Sequence, residues 1–384
     1  MLIAMKGISY NEGIKKEWIA TNGIGGYASS TIIHANTRGY HGLLVASLQP
    51  PIDRHLLLSK LDESITVGGK TYDISTNKFG DLITPRGYNH IVQFRLDPFP
   101  TFLYDVDGVM LEKSVFMIHG QNATVVSYAM LRGACEISIN VLANSRDFHS
   151  RTMGRLEFVE NESTKATTLK HGLTALVIGS DKGKYEKLGI WYDGLTYDAE
   201  RERGLPDREN CYVSGRFVAS LCEGEKLNIL ATGGYEKIAV KTFAKFYSTK
   251  PENFDALLQE EKERLQYLLH TFSKRELPKK EMIEQLVLSS DAFIVERKST
   301  NSKSIIAGYH WFGDWGRDTL ISLTGLTLVT GRFNDAKSIL KTFASYMKNG
   351  LVPNTFPEHG VEPIYNTADA SLLFSLALYD YYQC

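Results

Sequence analysis

The segment Trp311-Phe312-Gly313-Asp314-Trp315-Gly316-Arg317-Asp318-Thr319 gathers three aromatic rings, a guanidinium and two carboxylates into nine residues. Roughly fifty residues later comes Tyr365-Asn366-Thr367-Ala368-Asp369-Ala370. Aromatic faces stack on the apolar C–H faces of a sugar, and charged groups bond its hydroxyls in pairs. Paired carboxylates are also what glycosidic cleavage requires. Trp311, Asp314, Trp315, Arg317 and Asp318 are therefore candidate substrate contacts, and Asp369 is a candidate acid. Glu358, in Phe356-Pro357-Glu358-His359-Gly360, is a further candidate contact on the loop between them.

Each carboxylate also has a plainer use. Asp318 just precedes an apolar run and could cap a helix, and Asp369, three residues after Asn366, could close a capping box. A capping carboxylate is held ionised by the helix dipole, whereas a general acid must keep its proton near neutrality. Arg317 beside Asp318 reads equally as a surface ion pair. Other chemistries lack support: there is no GxSxG elbow, no HExxH and no GxxxxGK[ST]. The 10 histidines show no ligand spacing, and no metal or cofactor is expected.

These residues need elements to hold them. From about Glu17 to about Gly234, short runs rich in Val, Ile, Tyr and Phe are separated by turns such as Val67-Gly68-Gly69-Lys70, Val106-Asp107-Gly108-Val109 and Tyr192-Asp193-Gly194-Leu195. So many hairpins imply two packed antiparallel sheets. Asn22-Gly23-Ile24-Gly25-Gly26-Tyr27 is read as a glycine-rich turn feeding a strand, not as a dinucleotide loop. Arg38-Gly39-Tyr40-His41-Gly42 is read as a structural turn.

The pattern then changes. Phe254, Leu257, Leu258, Leu265, Leu268 and Leu269 recur at helical spacing, which predicts an amphipathic linker helix. The expected organisation is a β domain over 1–248, a linker helix over 249–278 and a helical domain over 279–384. Four helices are expected in the last: amphipathic Glu281–Arg297, uncharged Thr319–Val329, amphipathic Asp335–Lys348 and apolar Ala368–Leu378. Outer and inner helices in alternation are the order of helical hairpins in two concentric layers. Loops entering the inner helices then share one end, which would set the two motifs side by side.

Composition narrows the partners. The 384 residues are 43% hydrophobic and 23% charged, with net charge −1. Near-neutrality argues against nucleic acid or an anionic membrane surface. No stretch suits a membrane span or a signal peptide. The four cysteines have neither CxxC spacing nor a nearby His, as in buried thiols of a reducing compartment. The cytoplasm is the expected location.

Glu17-Trp18, Asn22–Tyr27 and Asn36-Thr37-Arg38-Gly39-Tyr40-His41-Gly42-Leu43-Leu44 resemble the amino-terminal domain of archaeal and bacterial glycogen debranching enzymes. The segments Trp311–Thr319 and Tyr365–Ala370 resemble the opening motifs of their amylo-α-1,6-glucosidase domain. The resemblance covers nearly the whole chain. It implies a β-supersandwich followed by part of a six-hairpin α/α barrel, and inverting hydrolysis of α-1,6-linked glucose on glycogen or limit dextrin. Asp369 matches the general-acid position. Arg317 and Asp318 match the pair holding the terminal glucose, with Trp311 and Trp315 beside them.

One departure matters. Such barrels have twelve helices, while residue 384 falls inside the fourth, and the family's late general base has no counterpart here. The expectation is a fragment of a longer protein, or a second polypeptide that completes the barrel, with this chain inactive alone. Two other readings stay open: an exo-α-1,4-glucosidase of glucoamylase type, and a non-catalytic glucan-binding protein.

Overall fold

Two-residue turns fix the first hairpins. In the computed structural model, which describes residues 1–273, 281–356 and 362–384, strand Ile52–Val67 returns as Lys70–Asp73 through Gly68 and Gly69, both at positive φ. Asp107 and Gly108, again both at positive φ, join Pro100–Val106 to Val109–Met117. Such left-handed pairs match the twist of the flanking strands. The third expected turn is different. Asp193 and Gly194 lie inside the continuous strand Lys184–Thr196, where they form a bulge against Arg208–Cys222. The strand runs on because its partner supplies hydrogen bonds on both sides of the bulge, which a local dipeptide pattern cannot report.

Two antiparallel sheets result. One has nine strands, and its centre runs Val109–Met117, Ala123–Arg132, Lys226–Tyr235, Thr174–Ser180. The other has ten, with Ile52–Val67, Ala134–Asp147, Arg208–Cys222 and Lys184–Thr196 at its centre. The sheets pack face to face. A Cβ on Gly233 of the first would lie 2.5 Å from Leu57 and 2.9 Å from Leu44 of the second. Thr124 Oγ1 also donates to Leu43 O at 2.7 Å. Between them lies a charged pair, Lys113–Glu63 at 2.5 Å, with Tyr128 donating to the same carboxylate oxygen. Burial pushes the Lys113 amine below its usual value while Glu63 opposes the shift. The turn Arg38–Gly42 is closed by buried His41, whose Nδ1 accepts from the Thr37 amide at 3.1 Å.

The chain divides into two compact units. The first is Met1–Asn22, Tyr27–Ala46 and Arg54–Leu258. The second is Gly23–Gly26, Ser47–Asp53 and Gln259–Cys384. The division falls inside the helix Pro251–Ser273.

Among the described residues of the second unit, the helices after Ser273 include Glu281–Asp291, Gly316–Leu323, Phe333–Ser345 and Ala370–Gln383. The predicted helix Glu281–Arg297 ends early: Ile294–Arg297 is a strand paired with Ser302–Ile305. The β-branched pair Ile294-Val295 gains more as a buried strand face, with Val295 wholly enclosed, than as a helix turn. Asn301, at φ 48, makes the hairpin turn. The uncharged run past Leu323 continues as a π-helical segment, Thr324–Leu328. Ile305, Leu320, Leu323, Leu340, Phe343, Val352, Ala370 and Phe374 form the shared core.

The two apolar helices are not covered on every side. Ile321 is exposed, as are Leu372, Leu376 and Tyr379. No helix among the described residues is long and apolar enough to cross a membrane.

Candidate active site

The first motif is shaped by a buried ion pair. Asp314 does not join the open face: its side chain is 2% exposed, and Nη1 of Arg297 reaches its two oxygens at 2.8 and 2.7 Å. Ser304 Oγ adds a third bond at 2.6 Å. The Arg297 guanidinium also lies over the Phe356 ring at 5.2 Å. A carboxylate engaged in this way fixes the loop and is not offered to solvent. Asp314 is therefore a framework residue here, in contrast with the substrate contact expected from sequence. Its neighbours point the other way, Trp311, Phe312 and Trp315 being 37, 48 and 38% exposed.

After Trp315 the helix Gly316–Leu323 begins, and its first amides need acceptors. Asp318 does not cap it. It is the third helical residue, exposed, and the start of the helix has no capping side-chain bond of its own. The acceptors come from Asn354, whose carbonyl takes the Gly316 amide at 2.7 Å and whose Oδ1 takes the Arg317 amide at 3.1 Å. This closeness requires glycine at 316, where a Cβ would lie 2.4 Å from the Pro353 carbonyl oxygen.

Asn354 also ties down the second motif. Its amide donates to Ile364 O at 2.7 Å, and its Nδ2 donates to Asn366 Oδ1 at 3.3 Å. Tyr365 OH reaches Tyr346 O at 2.7 Å. One buried amide residue thus knits both loops together. Asn354 is not among the candidate residues read from the sequence. The usable signal was an Asn beside a Pro between two helices, which is too common to single out.

Asp369 precedes Ala370–Gln383 but makes no side-chain cap, and Asn366 faces Asn354, so no capping box forms. The Asp369 carboxylate turns to Arg317 instead. Oδ2 accepts from Nε at 2.7 Å and lies 2.6 Å from Nη2. Both partners are half-exposed, their side chains 53 and 38% accessible. Asp369 Oδ1 and Thr367 Oγ1 are out of solvent and have no hydrogen-bond partner among the described residues. Arg317 and Asp369 therefore meet, with Asp318 and the two tryptophans at the surface on the same short loop and helix start. Glu358 lies outside the described residues.

This geometry is that of a face able to stack on a ring and to exchange bonds with hydroxyls. Residues 288–384 match the family described as amylo-alpha-1,6-glucosidase. A glycogen debranching enzyme of Saccharomyces cerevisiae is 38% identical over 110 residues, covering 26% of this chain and 7% of the yeast protein. Among solved structures, a bacterial glucoamylase complexed with acarbose aligns over 99% of this chain and 56% of its own, with TM-score 0.53 and 11% identity. The chain thus spans well under two thirds of either relative, and the second likeness concerns fold alone. The family described as glycogen debranching enzyme N terminal matches residues 16–228, more than half of the chain, and on that match the chain belongs to the glycogen debranching enzyme family.

Proposed function

We propose that this chain carries the substrate grip and the general acid of a glucosidase that cleaves α-1,6 branch points of glycogen or limit dextrin, on helices belonging to an α/α barrel. The observation that carries the reading is the Arg317–Asp369 contact, which joins two motifs 52 residues apart on one half-exposed face. Trp311 and Trp315 stack on the glucose ring. Arg317 and Asp318 bond its hydroxyls, where one unpaired group would cost selectivity.

Asp369 gives a proton to the glycosidic oxygen as the bond to C1 breaks. Oδ2 is held by Arg317 and Oδ1 is out of solvent, so the Arg317 contact must open for the carboxyl to reach the glycosidic oxygen. Water then attacks C1 from the opposite face and yields its proton to a second carboxylate about 6.5–9.5 Å away, inverting the anomeric centre. We assign none of the described residues to that base, and turnover requires it to be supplied.

Glucose release from a branched limit dextrin and from maltotriose, with the anomer followed by NMR, tests this. When the base is supplied, by a longer chain or by a second polypeptide, β-glucose from the branched substrate is expected, falling by at least about 100-fold in Asp369→Asn while glucan binding persists. Equal release by both proteins, or preference for maltotriose, would end the α-1,6 reading. One observation favours a second reading, that of a glucan-binding protein without turnover: Arg317 holds the very carboxylate that must protonate the leaving group. Binding that needs Arg317, with no release above blank even when the base is supplied, supports that alternative.

A further inference from the structure

The first unit has its own aromatic platform, made of other residues. Trp191 of strand Lys184–Thr196 sits opposite Tyr212 in register, the ring centres 5.2 Å apart. Tyr212 stacks on Phe158 at 5.1 Å and 15°. Over the indole, 5.0 Å from the ring centre, lies the guanidinium of Arg155. That group forks onto the Asp193 carboxylate, with Nη2 donating to Oδ2 at 2.8 Å and Nη1 donating to Oδ1.

Two features set this cluster apart from ordinary surface. First, strand Lys184–Thr196 is bulged on both sides of Trp191, between Lys187 and Ile190 and between Tyr192 and Leu195. Bulges re-aim side chains at the cost of ladder pairing, and here the second one carries Asp193. Second, the Arg155–Asp193 pair is open to water, with side chains 53 and 56% accessible. An exposed pair of this kind contributes little to stability, yet here Asp193 is carried by a bulged strand and the Arg155 guanidinium is held over the indole.

We propose that this surface is a second glucan-binding site, which takes a run of α-linked glucose units from the outer chains of the polymer. The chemistry is that of a neutral polyol. The Arg–Asp pair carries no net charge, so it selects against ionic ligands, while its planar fork offers donors and acceptors to adjacent hydroxyls. The indole takes the C–H faces. The ligand's identity rests on the glucosidase reading above; the site's geometry does not. Its use would be to hold a branched polymer while the Arg317–Asp369 face works on a stub.

The test uses tryptophan emission in the full chain carrying Trp311→Phe and Trp315→Phe. Only Trp18, which is 3% exposed, and Trp191 then remain. Titration with maltoheptaose should give a saturable change. Arg155→Gln or Asp193→Asn, both at exposed positions, should weaken it at least tenfold. Cellohexaose serves as the linkage control and should bind more weakly. A response in the wild type but none in the double-Phe protein overturns this site and leaves the glucosidase reading standing. No response in either overturns glucan recognition as a whole. Undiminished binding by Arg155→Gln and Asp193→Asn, or self-association abolished by Trp191→Ala, would also refute the proposal.

Discussion

Asp314→Ala separates a framework role from a sugar-binding role for the most tightly held carboxylate of the first motif. At 2.7 Å and an effective dielectric of about 20, the attraction between Arg297 and Asp314 is about 6 kcal/mol. Taking both ions out of water costs several kcal/mol each, so the intact pair is worth little net. Removing one partner is another matter. Arg297, 1% exposed, would lose both bonds to this carboxylate, and Ser304 would lose its acceptor. The expected loss is about 3–5 kcal/mol. With a urea slope of about 2 kcal/mol per M, the midpoint falls by about 1.5–2.5 M. The double variant Arg297→Met with Asp314→Leu should return to within about 1 kcal/mol of wild type, because well-packed apolar groups can replace a buried pair. In a Trp191→Ala background, which removes the proposed second site, it should also keep that background's affinity for maltoheptaose. Either of two results would refute the reasoning: a midpoint for Asp314→Ala within about 0.5 M of wild type, or a stable double variant that no longer binds glucan. The second would mean that Asp314 touches ligand after all.

Three further outcomes are expected. Asn354→Ala removes the acceptor for the Arg317 amide and the donor to Asn366, costing about 1–2 kcal/mol and speeding hydrogen exchange at that amide about 5- to 30-fold; exchange like wild type would show that another group caps the helix. Gly316→Ala should lower the melting temperature, although alanine is the better helix former by about 1 kcal/mol, because its Cβ meets the Pro353 carbonyl oxygen at 2.4 Å. The third concerns His34, whose ring is wholly buried against Phe102 and Tyr104, and whose pKa burial pushes well below its ordinary 6.5, assisted by Lys113 and Lys60. As pH falls below about 6.5 the unfolded chain takes up a proton that the folded ring refuses, so stability drops by about 1.4 kcal/mol per pH unit. Above that pH this contribution is fully present. His34→Asn, which tolerates the residue's φ of 57, should flatten the slope of stability between pH 6 and 5, and an unchanged slope would assign it elsewhere.

The sequence by itself determined the kinds of element and the chemistry to look for. Gly68-Gly69 and Asp107-Gly108 declared their turns because positive φ is a property of the dipeptide. Helical spacing announced Phe333–Ser345 because amphipathicity is local and periodic. Trp311, Arg317 and Asp369 stood out by type and by resemblance. Only the tertiary structure decided which of them meet. Asp314 and Arg317 lie three residues apart and looked interchangeable as hydroxyl contacts, yet one is enclosed by Arg297 and Ser304 while the other reaches Asp369. Strand Ile294–Arg297 broke a helical pattern because Ser302–Ile305 was there to pair with it, and Asp193-Gly194 became a bulge because Arg208–Cys222 ran past it. The reason is the same in each case. Local pattern fixes which way a side chain can face along its own element, but its partner is set by contacts with residues distant in the chain, and no single-sequence period records those.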